Sequence, residues 1–190
     1  MEKRAVPAMW HPISHVLLLA PFLFLFTSAV LEKLGPDPGK VLVHDLGLWS
    51  LRLLLLTLSI TPLNRMTPWQ WLPLRRRLGL YAFGYAVLHL LCYAFFYLGF
   101  DGSLLGKELL KRPYIVVGAT ALTMLLALAI TSTRSWQQRL GRRWKILHRL
   151  IYPATALVVI HFAWQVKSGF GAAPWYALLL VVLLLLRWKR

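Results

Sequence analysis

Hydrophobic positions in this chain do not alternate with polar ones. They run together in blocks of about 18–20 residues, separated by short stretches of charge, proline and glycine. Wound as helices, blocks of that length cross a hydrocarbon core roughly 30 Å thick. Six spans are predicted: Ile13–Leu31, Leu46–Leu63, Leu78–Phe100, Tyr114–Thr131, His148–Val166 and Ala172–Trp188. The intervening segments, such as Gly35-Pro36-Asp37-Pro38-Gly39, Arg75-Arg76-Arg77, Lys111-Arg112-Pro113 and Ser168-Gly169-Phe170-Gly171, are turn chemistry or charge and cannot stay in lipid. Connections this short predict an up-and-down, all-α bundle of six transmembrane helices, one domain over residues 1–190. An outer-membrane barrel would need alternating strands of about ten residues, which a run such as Leu53-Leu54-Leu55-Leu56 does not supply.

Composition strengthens this picture: 58% hydrophobic and 15% charged residues are too apolar for a soluble fold of 190 residues. The net charge of +16 would suit nucleic acid, but the cations lie between the apolar blocks, so topology accounts for them and no nucleic-acid partner is expected. Fifteen Lys and Arg fall on one side of the six spans: Lys3, Arg4, Arg65, Arg75, Arg76, Arg77, Arg134, Arg139, Arg142, Arg143, Lys145, Arg149, Arg187, Lys189 and Arg190. The other side carries Lys33, Lys40, Lys107, Lys111, Arg112 and Lys167, with Glu32, Asp37, Asp45, Asp101 and Glu108. Positive residues stay inside, so both termini are expected in the cytoplasm. A cleaved signal peptide ending near Thr27-Ser28-Ala29 fits less well, because its removal would leave an odd number of spans and a charge pattern that no longer alternates.

Ionisable groups at membrane depth are costly enough to be functional candidates by default. Cys92 is the single cysteine, which excludes an internal disulfide, a CxxCH haem attachment and a Cys₄ cluster. The candidates are His89 in the third span, His148 and His161 in the fifth, and Arg52 in the second; His11, His15 and His44 lie at or near span ends, where interfacial solvation suffices. His89 lies about 16 Å and His161 about 19 Å along outward-running helices. Two imidazoles at similar depth are what a bis-histidine b-type haem requires, an axial nitrogen on each face of an apolar disc. A lone membrane histidine also serves to bond a neighbouring backbone, and zinc is the weaker metal candidate because no Cys, Asp or Glu lies at these depths. His148 and His161 are some 140° out of phase on an ideal helix, a mismatch that a bend at Pro153 would accommodate. Arg75 lies fourteen residues before His89, about where an inner haem would want a ligand, and a guanidinium offers no lone pair. Arg52 either pairs with an outer propionate or snorkels; Arg75, Arg76, Arg77, Arg142, Arg143 and Lys145 form a basic rim suited to flavin phosphate or haem propionates, or equally to topology and lipid anchoring.

One combination of segments resembles a known family. Leu58-Ser59-Ile60-Thr61-Pro62-Leu63, Arg76-Arg77-Leu78-Gly79-Leu80, His89-Leu90, Lys111-Arg112-Pro113-Tyr114-Ile115, Thr131-Ser132-Thr133, Leu140-Gly141-Arg142-Arg143-Trp144, Leu147-His148-Arg149-Leu150-Ile151-Tyr152 and His161, taken in order, resemble the MsrQ (YedZ) family. These are haem-binding membrane subunits of bacterial periplasmic methionine sulfoxide reductase systems, related to the transmembrane domains of ferric reductases and NADPH oxidases. The resemblance implies a multi-pass inner-membrane protein with one or two b haems and FMN, with His89, His148 and His161 as haem ligands. It implies electrons from the quinone pool or a cytosolic flavin reductase, and a periplasmic molybdopterin partner, MsrP, that repairs oxidised envelope proteins. The wider superfamily carries two histidines on each of two helices, so Arg75 departs from its pattern at the inner site.

The chain shows no G-x-G-x-x-G fingerprint and no nucleophile–base pair, so electrons are expected from outside it and the substrate chemistry from a partner. A stand-alone ferric or quinone reductase is the alternative. So is a small proton-coupled transporter, against which stand the lack of an obvious repeat and of paired intramembrane carboxylates.

Overall fold

The computed structural model describes residues 4–5, 10–165 and 171–188. Lys3, Lys167, Lys189, Arg190, Val166 and the Ser168-Gly169-Phe170 part of the last connection lie outside the described residues, as does the side chain of His11. Among the described residues the regular structure is helical, apart from a parallel pairing of two two-residue strands, β1 (Arg4–Ala5) and β2 (Trp69–Gln70). It divides into two compact units, Met1–Phe100 and Asp101–Arg190.

The first unit holds α1 (Trp10–Val30), α2 (Pro38–Met66) and α3 (Leu72–Tyr93), the last running on through a π-helical turn at Ala94–Leu98 that closes at Gly99. Helix α2 begins eight residues before the expected Leu46, because Asp37-Pro38 is a helix start as well as a turn. Asp37 caps the Lys40 amide at 2.9 Å, and Pro38 stands at a first-turn position where a missing N–H costs nothing. Half of the apolar stretch of α2 is enclosed by protein, against 11% for α3, so α2 is the hub of its unit. Leu51, Leu53, Leu54, Leu55 and Leu58 are all buried. Val43, Gly47, Ser50, Leu54 and Thr57 recur on one stripe, at i, i+4, i+7, i+11 and i+14. Toward α3 that stripe gives the bond from Ser50 Oγ to the Ala82 carbonyl, 2.9 Å.

Helix α1 meets α3 through polar contacts that apolar periodicity does not reveal. Arg77 donates to Ser14 Oγ, and His15 Nδ1 lies 2.8 Å from Tyr81 Oη. Tyr85 Oη accepts from the Phe22 amide at 3.0 Å and donates to the Leu18 carbonyl at 2.8 Å. Phe22 and Leu18 are the pair an α-helix joins i to i−4, and Pro21, with no N–H, stands beside them. A phenol from α3 therefore enters the α1 ladder where proline weakens it. The rest of α1 presents Leu17, Phe24 and Phe26 outward, as a lipid-facing helix does.

The second unit holds α4 (Gly102–Lys111), α5 (Pro113–Ile130), α6 (Arg134–Leu140), α7 (Arg142–Leu147), α8 (Ile151–Gln165) and α9 (Ala173–Trp188). The segment expected as a bare third connection thus carries a capped ten-residue helix, α4. On α5 the stripe Tyr114, Gly118, Ala121, Leu125 and Leu128 repeats the spacing of the α2 stripe, and on α8 Ala154 and Thr155 are 0% exposed. His148 falls in a 3₁₀ turn, His148–Leu150, that leads into α8, with Pro153 in the first turn beyond it. The 3₁₀ turn winds more tightly than an α-helix and so changes the helical phase between His148 and His161.

Five described helical stretches are long and apolar enough to cross a membrane: α1, α2, α3 with its π-helical turn, α5, and the run Arg142–Gln165 through α7, the 3₁₀ turn and α8. Where the sixth span is expected lies α9, an apolar helix of 16 residues and about 24 Å, short of a full crossing on its own.

Candidate functional site

Each of two helix pairs holds a histidine against a neighbouring backbone in the same way. In the first unit His89 Nδ1 lies 2.7 Å from the Val43 carbonyl of α2. In the second, His161 Nδ1 lies 2.6 Å from the Tyr114 carbonyl of α5. A carbonyl oxygen only accepts, so Nδ1 carries the proton in both rings and the neutral imidazole has its lone pair on Nε2. A backbone carbonyl on the far nitrogen fixes the tautomer, the ring plane and the basicity of a ligating histidine. Both histidines are half-buried.

His148 is held differently. Its Nε2 is 3.1 Å from the Thr131 hydroxyl, which itself donates to the Ala127 carbonyl at 2.6 Å, so the ring nitrogen gives its proton to Thr131. Trp144 stacks on the ring with centroids 4.0 Å apart and donates its indole N–H to the Thr131 carbonyl at 2.8 Å. Thr131, Trp144 and His148 form one knot where α5 ends, and it leaves His148 in the opposite tautomer from His89 and His161.

Among the charged candidates, Arg52 is half-buried with its guanidinium 4.9 Å from the centre of the Trp49 ring, an aromatic stacking partner inside the second span. Arg75 is half-buried and Arg76 exposed in the first turns of α3. His15 bonds Tyr81, and exposed His44 pairs with Asp45 at 2.8 Å, so both have local structural work at span ends. The Val43 and Tyr114 carbonyls and the Thr131 knot are what sequence reasoning missed. A backbone acceptor has no residue signature, and Thr131 is indistinguishable in sequence from any helix-ending threonine.

Within neither unit, among the described residues, do three His, Cys, Asp or Glu side chains gather as a metal cage. A metal held by a lone imidazole would have to bring further donors of its own, as iron porphyrin does. The donor set fits that group: neutral imidazoles, Nε2 bearing the lone pair, and half-buried rings beside apolar helices.

A multi-spanning helical protein with histidines locked to neighbouring backbone carbonyls has the donors that a transmembrane redox cofactor would need. Comparison with known proteins gives the family. Residues 46–159 match the model of the ferric reductase like transmembrane component, and the chain belongs to that family and is a multi-pass membrane protein. The matched stretch takes in His89 and His148 and stops two residues before His161. The chain is also 50% identical over 161 residues to the protein-methionine-sulfoxide reductase heme-binding subunit MsrQ of Xanthomonas campestris pv. campestris (strain 8004), covering 84% of this chain and 74% of that protein. The likeness to the MsrQ line expected from the residues is therefore real.

Proposed function

We propose that this chain is the haem b-binding membrane subunit of a periplasmic methionine sulfoxide reductase system, conducting electrons outward across the bacterial inner membrane. The observation that carries the reading is the matched pair of bonds from His89 and His161 to the carbonyls of Val43 and Tyr114, which ready both Nε2 lone pairs for iron. When bound, haem supplies one-electron chemistry. His89 and His161 would hold the group, and the carbonyls of Val43 and Tyr114 orient their rings and keep Nε2 a neutral donor.

In this reading six helices span with both termini cytoplasmic, α9 completing the sixth. The pairing of β1 with β2 supports that topology, because it ties the N-terminal arm to the connection after α2, the two segments the charge count assigns to one face. His148, with the basic rim that includes Arg75 and Arg76, serves an inner site for a second haem or FMN, and Arg52 serves an outer propionate. The family resemblance supplies the remaining assignments: the quinone pool or a cytosolic flavin reductase as donor, and the periplasmic molybdopterin enzyme MsrP as acceptor.

The test is an optical spectrum of the purified full chain with pyridine haemochrome quantitation, repeated for His89→Ala and His161→Ala. A reducible b-type spectrum that either substitution depletes is the expected result. A colourless protein would point instead to a transporter, and unchanged haem in both variants would overturn the ligand assignment.

A further inference from the structure

The two histidine-bearing helix pairs are built to one plan. Val43, Gly47 and Leu54 on α2 correspond to Tyr114, Gly118 and Leu125 on α5, 71 residues apart throughout; Ala82 and His89 on α3 correspond to Ala154 and His161 on α8, 72 apart. Both alanines are 0% exposed. In each pair the accepting carbonyl stands four residues before a glycine, and the glycine lies against the imidazole. A Cβ added at Gly47 would stand 2.9 Å from His89 Nδ1 and 3.2 Å from Cε1; at Gly118 it would stand 2.8 Å from His161 Nδ1 and 2.9 Å from Cε1.

The cause is helix geometry. A carbonyl at position i points along the axis toward residue i+4, so a side chain that reaches that oxygen from a neighbouring helix passes over the surface where the i+4 Cβ would sit. Small residues are what permit such close approach between membrane helices. Contacts of 2.8–2.9 Å are shorter than real Cβ atoms show, and ordinary contact begins near 3.4 Å. An alanine would therefore drive the ring back by about 0.5 Å, the tolerance within which functional geometry must be held. It would also stretch the 2.6–2.7 Å bonds that set the tautomer.

Resting on the haem reading above, we infer that Gly47 and Gly118 are paired positioning residues, each seating one axial imidazole on its carbonyl so that Nε2 keeps a single orientation. The two glycines act through His89 and His161 and need touch no cofactor themselves. The repeat they complete is carried by a few scattered identities, Gly47 with Gly118, Leu54 with Leu125, Ala82 with Ala154 and His89 with His161, while valine stands opposite tyrosine and serine opposite alanine.

The experiment uses the full chain purified with its haem and compares Gly47→Ala and Gly118→Ala with Gly84→Ala, a helical glycine whose added Cβ meets nothing within 4 Å. Haem in the parent, and its loss in His89→Ala and His161→Ala, is established first. Failure there overturns the functional reading itself. With that arm positive, both glycine variants are expected to bind haem roughly ten- to a hundredfold more weakly and to shift the electron paramagnetic g-values of the low-spin haem that remains, while Gly84→Ala matches the parent. Parental occupancy and g-values in the glycine variants would overturn the inference and leave the functional reading intact. Should the variants not accumulate in the membrane, His89→Ala with Gly47→Ala and His161→Ala with Gly118→Ala decide the matter by double-mutant logic. Removing the ring should restore accumulation to that of the single histidine variant, and double variants no better than the glycine variants alone would show that the ring is not what the methyl strikes.

Discussion

Asp101 shows how much one side chain does where the chain leaves the membrane. Its carboxylate accepts the Ser103 amide at 2.7 Å and opens α4. Hydrogen bonds from the Ser103 hydroxyl and then its backbone amide hold the Asp101 carboxyl below its ordinary value. A lowered folded value means the cap contributes above the ordinary carboxylate range and is lost as pH falls through the folded value. Amide protection at Ser103 and Leu104, taken relative to the intrinsic exchange rate at each pH, should therefore fall on acidification in the parent, whereas Asp101→Asn, which still accepts a bond but does not titrate there, should keep a protection free of that pH step. An identical step in both proteins would remove Asp101 as its cause. At the same scale, His89, His148 and His161 were readable as candidates from the sequence alone, because an imidazole among leucines is costly wherever it sits. Their partners were not readable: Val43 and Tyr114 contribute backbone oxygen, which every residue has.

Among the elements, α1 carries the clearest energetic consequence. Tyr85 is buried, and its hydroxyl bridges the Phe22 amide and the Leu18 carbonyl beside Pro21. Tyr85→Phe keeps the ring and removes the bridge. The expected cost is about 1–3 kcal/mol for polar groups left unsatisfied in an apolar setting, measured as a lower unfolding midpoint in detergent. An unchanged midpoint would mean that α1 closes its own ladder despite the proline. Hydropathy located the spans because a run of leucines carries its own signal. It placed the start of α2 late because Asp37-Pro38-Gly39 is equally the chemistry of a turn and of a helix cap, and the cap prevails once the following residues pack. It passed over α4 because glycines at 102 and 106 argue against a helix that Asp101 and the Glu108–Arg112 pair at 2.9 Å nevertheless sustain.

For the molecule as a whole, the proposed orientation rests on the asymmetry of charge, and single-cysteine labelling tests it. In a Cys92→Ser background, Lys107→Cys on exposed α4 should react with a membrane-impermeant maleimide in intact spheroplasts, and Arg76→Cys should react only after permeabilisation. The reverse pattern would invert the topology and, with it, the direction of electron flow. The helix pairs themselves were the least legible feature, since their common plan rests on backbone carbonyls and on a few identities spread thinly among unlike residues. One further property follows from how α1 is fastened. Ser14, His15 and the Leu18–Phe22 rung are gripped in turn by Arg77, Tyr81 and Tyr85, successive i+4 positions of α3, over about 12 Å of helix. A rod pinned at three heights can neither roll about its axis nor slide like a piston without releasing a hydrogen bond, so any displacement of α1 must carry α3 along with it.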